Sequence, residues 1–304
     1  MYDENWNQNP RGYGRDQRKD VCISLVLRCG RIFSLKGYFS PGAMFPIDLY
    51  NTVAIHGNPC VIYNQIIKFF CMKAVITGAS RGFGKAIAEE FAAVGYDLVL
   101  CSMDPERLAG TADALSKKFP QIKITSHAAD LSNSIQIKAF AQWVLQQAGA
   151  IDVLVNNAGA FLPGNVSDEE EGQLEKMLAV NLYSAYHLTR ALLPKLIRQK
   201  HGHVFNMCSI ASLQAYKQGG SYSISKFALA GFSKNLREEL KPHGIKVTAV
   251  YPGAAYTDSW AASGVDPARI MEAADIAKLI VAAAHLSTRA CVEDIVVRPQ
   301  LGDL

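Results

Sequence analysis

Residues 71–84 read CMKAVITGASRGFG, an apolar run closed by a turn that carries three glycines and a basic residue. Residues 74–77 have the character of a buried strand, and helical spacing starts at Lys85, so 77–84 is a strand-to-helix turn. A tight turn of this kind needs residues without a Cβ if its N–H groups are to approach a phosphate. The aligned peptide dipoles of the following helix add partial positive charge at the same place. Gly78, Ser80, Arg81, Gly82, Phe83 and Gly84 are therefore the expected lining of a pyrophosphate cradle. A plain glycine-rich turn is the alternative. The spacing TGxxxGxG also departs from the usual GxGxxG, so the reading needs support elsewhere in the chain.

Working outward from the turn, strand and helix patterns alternate to the end of the chain. Apolar runs at 74–77, 98–101, 122–126, 153–155, 203–208, 246–251 and 294–298 read as strands. Segments at 85–94, 105–118, 134–148, 173–199, 222–240 and 274–286 carry the 3.6-residue period of helices. Such alternation predicts right-handed βαβ units: an α/β fold with a doubly wound parallel sheet of about seven strands, covered on both faces, in a single domain over 72–304. Asp130 with Leu131, the stretch Asn156–Gly159, and Pro252–Gly253 each follow a predicted strand, at the edge where open α/β sheets bind ligands. An acid at Asp130 can meet an adenine amino group.

Ahead of Met72 the periodicity is lost, and Gly, Pro, Asn and aromatics are scattered through NQNPRGYGRDQ, SLKGYFSPGAMFP and HGNPCVIYNQ. Residues 1–71 are expected to be a poorly structured N-terminal extension, or upstream sequence outside a natural protein that starts at Met72. The alternative is a genuine appendage packed on the domain, since its aromatics are atypical of solvated disorder. The whole chain has 304 residues, a formal charge of +4 and 49% hydrophobic residues. It has no basic cluster interleaved with aromatics, so no nucleic-acid partner is expected. No apolar run approaches the roughly 20 residues that span a bilayer. Seven cysteines without a CxxC pair suggest neither a disulfide framework nor a zinc site, and no metal is expected. The chain reads as cytoplasmic.

The segment SIASLQAYKQGGSYSISKFALAGF, residues 209–232, carries the chemistry. Tyr222 and Lys226 stand four apart at the start of a helical pattern and so share a face, and Ser209 closes the fifth predicted strand. Alone, the pair fits an amphipathic helix with a half-buried Tyr and a solvated Lys. With the glycine turn and a strand-end serine, it fits reduction of a carbonyl. A carbonyl that receives a hydride needs a proton, and a phenol can give one if its pKa, about 10, is lowered. Lowering it by about three units takes roughly 4 kcal/mol, which an ammonium about 4 Å away supplies at an effective dielectric near 20. The serine hydroxyl would hold the carbonyl oxygen in line.

TGASRGFG, NNAG, Asn181, Ser209, YSISK and PG, in this order and spacing, resemble the short-chain dehydrogenase/reductase family. The resemblance covers 72–304. It implies a Rossmann-type sheet, a nicotinamide dinucleotide and the catalytic set Asn181, Ser209, Tyr222 and Lys226. Within that set, Asn181 would hold a water that relays protons to Lys226, and Lys226 would also bind the nicotinamide ribose. Tyr222, Lys226, Asp130, Leu131, Asn157, Ala158, Gly159, Pro252, Gly253 and Thr257 join the glycine turn as expected cofactor contacts. A homodimer or homotetramer built on the helices at 173–199 and 222–240 is also implied.

The implied activity is NAD(P)-dependent hydride transfer with a carbonyl or secondary alcohol as the small-molecule substrate. The alternatives are a 3-oxoacyl-carrier-protein reductase, which would need a basic patch, and a dinucleotide-binding regulator without turnover. Retention of all four catalytic residues favours an enzyme. Ser102 and Met103 occupy the positions that mark NAD- and NADP-dependent members, and neither is a marker; Asp104 sits slightly late. Arg81 resembles the basic residue that pairs with a 2′-phosphate, although it could be an exposed loop residue, so NADP is favoured over NAD. The substrate lining is expected from 160–165, 210–221 and 254–270. Trp260 there either walls the pocket or packs on the body. The acidic run 168–171 is expected to be a solvated first turn of the helix that follows it. Cys101 and Cys208 read as core residues, and His127 and His187 as structural.

Overall fold

In the computed structural model, which describes residues 19–26, 32–39, 45–47, 53–55, 72–147, 149–257 and 264–303, the apolar runs after Met72 become seven strands. They are β1 (Lys73–Thr77), β2 (Asp97–Ser102), β3 (Ile124–Ala128), β4 (Val153–Asn156), β5 (Gly202–Met207), β6 (Ile245–Pro252) and β7 (Asp294–Val297). All pair in parallel, in the order 3-2-1-4-5-6-7. The order reverses between β1 and β4, and this switch point opens a crevice at the strands' carboxyl ends. Among the described residues the helices around the sheet are α1 (Gly82–Ala93), α2 (Pro105–Lys118), α3 (Ser134–Gln146), α4 (Gln173–Leu178), α5 (Ser184–Gln199), α6 (Gly220–Leu240) and α7 (Ala273–Ala284).

The two-residue pleat sorts the core into two layers. Ala74, Ile76, Leu98, Leu100 and Val155 face Phe91, Leu108, Leu115 and Ile276 of α1, α2 and α7. Val75, Val99, Leu154, Val204 and Val247 face Phe140, Leu188, Leu192 and Leu236 of α3, α5 and α6. Burial from both sides is why the strands read as continuous apolar runs rather than as alternations.

The third strand starts at Ile124 rather than at 122. More telling is the segment 173–199, expected as one helix. It is α4, a π-helical turn over Ala179–Tyr183, then α5, with Ser184 N–H donating to the Ala179 carbonyl five residues back. Such turns recur at functional sites, and this one carries Asn181. A short parallel pair, Ala255–Tyr256 with Met271–Glu272, brackets the region after β6; Trp260 lies outside the described residues.

The chain divides into two units, Met1–Lys68 and Phe69–Leu304. In the first, Lys19–Val26 pairs with Ile32–Phe39, and Phe45–Ile47 with Val53–Ile55, both antiparallel. The sequence shows no strand periodicity there, so these pairings are a departure from it. Each is a two-stranded ladder of its own, an element that is marginally stable in water. Among the described residues no helix is long and apolar enough to cross a membrane.

Candidate active site

The glycine turn leaves β1 at Thr77 and enters α1 at Gly82. Gly78 and Gly82 adopt φ of 63° and 53°, which side chains disfavour. A Cβ on Gly84 would lie 2.1 Å from the Gly78 carbonyl oxygen, so only glycine lets α1 pack this close to the strand. The first turn of α1 has no capping side chain and no acidic residue. Its N–H groups and positive dipole end therefore suit an anion such as a pyrophosphate.

Asn157 and Thr77 hold the turn from behind. The Asn157 amide donates to the Thr77 and Gly78 carbonyls at 2.9 and 3.1 Å. The Thr77 hydroxyl accepts from Asn157 N and Ala158 N, both at 2.9 Å. Thr77, part of the turn but not among the expected cofactor contacts, thus joins the two strand ends of the switch point. The side chain of Asn157 is engaged with the protein, so it shapes the cradle rather than reaching into it. Thr257 lies over the turn, its Cβ and Cγ2 each 3.6 Å from where a Cβ on Gly82 would stand.

Other expected contacts divide by their burial. Leu131 is buried in one core layer and Phe83 packs against the other, so each offers the crevice its backbone alone. Asp130 is half-buried, and its Oδ1 accepts from Ser132 N and Oγ at 2.9 and 2.7 Å. Pro252 ends β6 buried, and Gly253 donates to the Val297 carbonyl at 2.8 Å with Pro299 and Asp303 packed where its Cβ would be. Gly253 is therefore enclosed by the C-terminal segment. At the end of β2, Ser102 and Ser80 share a hydrogen bond of 2.8 Å between hydroxyls. Asp104 caps α2, accepting from Arg107 N at 3.0 Å and pairing with its guanidinium at 3.2 Å, which leaves it committed to that helix.

The four residues expected to be catalytic converge on the same edge. Ser209 follows β5 and caps a 3-10 turn over Ile210–Ser212. The Ser209 side chain faces the Tyr222 hydroxyl closely enough to draw its pKa down. One turn along α6, the buried Lys226 Nζ donates to the Met207 carbonyl at 2.7 Å and stands 5.8 Å from the Tyr222 ring centroid. Gly159 is where Asn181 and Lys226 approach. A Cβ there would lie 2.9 Å from Asn181 Oδ1 and 3.6 Å from Lys226 Nζ.

One expectation needs correction. Lys226 was expected to lower the Tyr222 phenol. Instead burial pushes that phenol above its ordinary value, against the pull of the Ser209 side chain, and burial pushes Lys226 down to about 8. The lysine is buried, and its ammonium meets a backbone carbonyl rather than the phenol. The Asn181 side chain is engaged with the protein. Its Oδ1 accepts from Ala160 N at 2.8 Å, and its Nδ2 donates to the Ala160 carbonyl at 3.0 Å and to Ser225 Oγ at 2.9 Å.

Around the phenol stands an apolar rim. The Phe161 ring meets the Tyr222 ring edge-on with centroids 4.8 Å apart. Phe161, Leu162, Leu213, Tyr216 and Tyr256 are large apolar side chains left exposed on segments that border the site. Cys208 is buried, its thiol pushed up to about 11, and is inert. His127 packs against Trp143 with ring centroids 4.9 Å apart.

A model of the short chain dehydrogenase family matches residues 72–267. An uncharacterized oxidoreductase of Staphylococcus epidermidis is 31% identical over 226 residues, which cover 74% of this chain and 96% of that protein. A sepiapterin reductase of Chlorobaculum tepidum is 33% identical, covering 76% of this chain and 97% of its own. Among solved structures, a metagenomic short-chain oxidoreductase in complex with NADP matches with a TM-score of 0.66 at 35% identity, over 75% of this chain and 97% of the other. An alcohol dehydrogenase of Thermococcus sibiricus complexed with 5-hydroxy-NADP matches with a TM-score of 0.70 at 28% identity, over 76% and 97%.

Proposed function

The chain belongs to the short-chain dehydrogenase family, and on that premise we propose that it is an NADP-linked reductase of ketones or aldehydes bearing an apolar substituent. The observation that carries this reading is the meeting of Ser209, Tyr222 and Lys226 beside the glycine turn at the switch point. A bound nicotinamide dinucleotide supplies or accepts the hydride. The first turn of α1 would hold its pyrophosphate, Asp130 its adenine, and Lys226 its nicotinamide ribose.

The protein's own part is proton transfer and alignment. Tyr222 gives its proton to the carbonyl oxygen as charge develops there. Ser209, beside the phenol, would donate to the same oxygen and fix its distance from Tyr222. Lys226 re-protonates the phenolate side of the site; its depressed pKa of about 8 lets it release a proton near neutrality. The main-chain carbonyl of Asn181, in the π-turn, is the remaining group on this residue for a relay water.

NADP rather than NAD is supported by the serine at the end of β2, by Arg81 at the N-cap of α1, and by the commitment of Asp104 to α2. The NADP-type ligands of the two structural relatives point the same way. The apolar rim around Tyr222 supports the substrate class. Tyr183, Tyr186, Ile224 and Phe227 leave an exposed apolar face beside the π-turn and on α5 and α6, which supports a homo-oligomer assembled there. The test is NADPH and NADH oxidation by the purified protein against aryl ketones, aldehydes, 3-oxoacyl thioesters, sugars and sepiapterin. Faster NADPH-dependent reduction of the aryl ketones is expected. Absence of hydride transfer to every carbonyl would refute the reading.

A further inference from the structure

The catalytic helix α6 begins without a cap of its own. Its N-cap is Gly219, which has no side chain, and its first turn holds no acidic residue. Orphan N–H groups at a helix start need partners. One partner comes from 52 residues upstream: Glu169 Oε1 accepts from Ser221 N at 2.7 Å, and Glu169 Oε2 accepts from the Ser221 hydroxyl. This is the middle of the acidic run 168–171, which was expected to serve the helix immediately after it.

The backbone around this contact is shaped to admit the carboxylate. A Cβ on Gly220, at φ 28°, would lie 1.9 Å from Glu169 Oε1 and 2.6 Å from the Gly164 carbonyl. A Cβ on Gly164 would lie 2.6 Å from Glu169 Cγ. Gly164 N donates to the Gln218 carbonyl at 3.1 Å, and Gln218 is held at φ 62°, a rare conformation for a residue with a side chain. Two loops are therefore locked together, one carrying Phe161 and the other leading into Tyr222.

We infer that Glu169 is a positioning residue: it clasps the Phe161 loop to the first turn of α6, and so fixes Tyr222 and the aromatic wall against which the carbonyl docks. The inference rests on the reading of Tyr222 as the proton donor. Ser221 is 1% exposed, so removing the carboxylate leaves two buried donors without acceptors, and the turn that carries Tyr222 has to move to satisfy them. The negative charge also sits favourably at the positive end of α6.

The test compares Glu169→Ala, Glu169→Gln and Ser221→Ala in kcat, carbonyl KM, NADPH affinity and hydrogen exchange of the amides at 219–226. Glu169→Ala should lower kcat/KM for the carbonyl by about tenfold to a hundredfold, the loss expected from charge-assisted hydrogen bonds, with NADPH affinity unchanged. Glu169→Gln should restore most of it, since its amide can accept from Ser221 N and donate to Ser221 Oγ. Exchange should speed up in the first turn of α6 in Glu169→Ala and not in Glu169→Gln. Full activity with unchanged exchange in Glu169→Ala overturns the clasp, and so does a loss that tracks NADPH affinity or folded fraction. If Glu169→Ala does not fold, Ser221→Ala removes the hydroxyl half alone, and unchanged kcat and exchange in that variant overturn it. A wild type that reduces no carbonyl refutes the proposed function instead, and the exchange measurement still decides the clasp.

Discussion

Placing one methyl group on Gly84 tests whether the turn after β1 is a cradle that tolerates no displacement. In Gly84→Ala the new Cβ would lie 2.1 Å from the Gly78 carbonyl oxygen and 2.6 Å from Asn157 Nδ2. Ordinary contact begins at 3.4 Å, so the oxygen has to retreat by about 1.3 Å. Neither atom is a free end. Asn157 Nδ2 is bonded to that same oxygen and to the Thr77 carbonyl. Overpacking costs about 1–3 kcal/mol, and weakening two hydrogen bonds adds about 1 kcal/mol each. The better helix propensity of Ala returns about 1 kcal/mol. The net loss is about 2–4 kcal/mol, or a fall in Tm of roughly 4–16 °C for a domain of this size. The displaced N–H groups should weaken NADPH by at least about tenfold, a change of ~1.4 kcal/mol. Gly110→Ala is the control: a Cβ there meets nothing within 4 Å, inside α2, so it should raise Tm and leave NADPH binding alone. Calorimetry and fluorescence titration on both variants supply the readout. Wild-type Tm and NADPH affinity in Gly84→Ala would refute the reasoning.

Arg81→Ala should weaken NADPH about tenfold to a hundredfold and NADH far less, because a guanidinium–phosphate hydrogen bond has no counterpart on a 2′-hydroxyl; equal loss for both, by titration, would contradict the NADP assignment. Burial holds the His203 imidazole down at about 3, with Nε2 on Thr248 Oγ1 at 2.6 Å, so between the ordinary pKa of 6.5 and 3 the unfolded chain takes up a proton that the fold refuses. Stability should fall with pH across that window by about 1.4 kcal/mol per unit on this account, and His203→Gln should flatten the slope in urea titrations by one proton; an unchanged slope would assign it to other groups. We also propose that residues 72–304 suffice: a chain starting at Met72 should fold and bind NADPH with the kcat of the full protein, and an insoluble or inactive product would show that residues 1–71 belong to the enzyme.

What could be read from the sequence was what depends on near neighbours. Thr77–Gly84, Asn157–Gly159 and the Tyr222–Lys226 pair announce themselves because strand, turn and helix signals sit within a few residues of one another. The same locality placed all seven strands within two residues, six of them within one. The π-turn at Ala179–Tyr183 gives no such signal, since its apolar spacing fits an uninterrupted helix and the offset is imposed by Asn181 reaching Ala160 and Ser225. Glu169 was assigned to the wrong helix for a related reason: the pattern of acids before a helix is the same whether the carboxylate caps that helix or one 52 residues on. The direction of the Tyr222 shift was also hidden, because spacing puts Lys226 on the right face without showing that its ammonium is turned to the Met207 carbonyl.

The central claim is that Tyr222 delivers a proton while hydride moves to a carbonyl, and Tyr222→Phe tests it most directly. The substitution keeps the ring that meets Phe161 and removes only the hydroxyl that faces Ser209. Steady-state NADPH oxidation with an aryl ketone should lose about 10²–10⁴-fold in kcat, while NADPH binding, titrated by fluorescence on the same sample, stays at the wild-type level. A kcat near wild type in Tyr222→Phe would contradict the account.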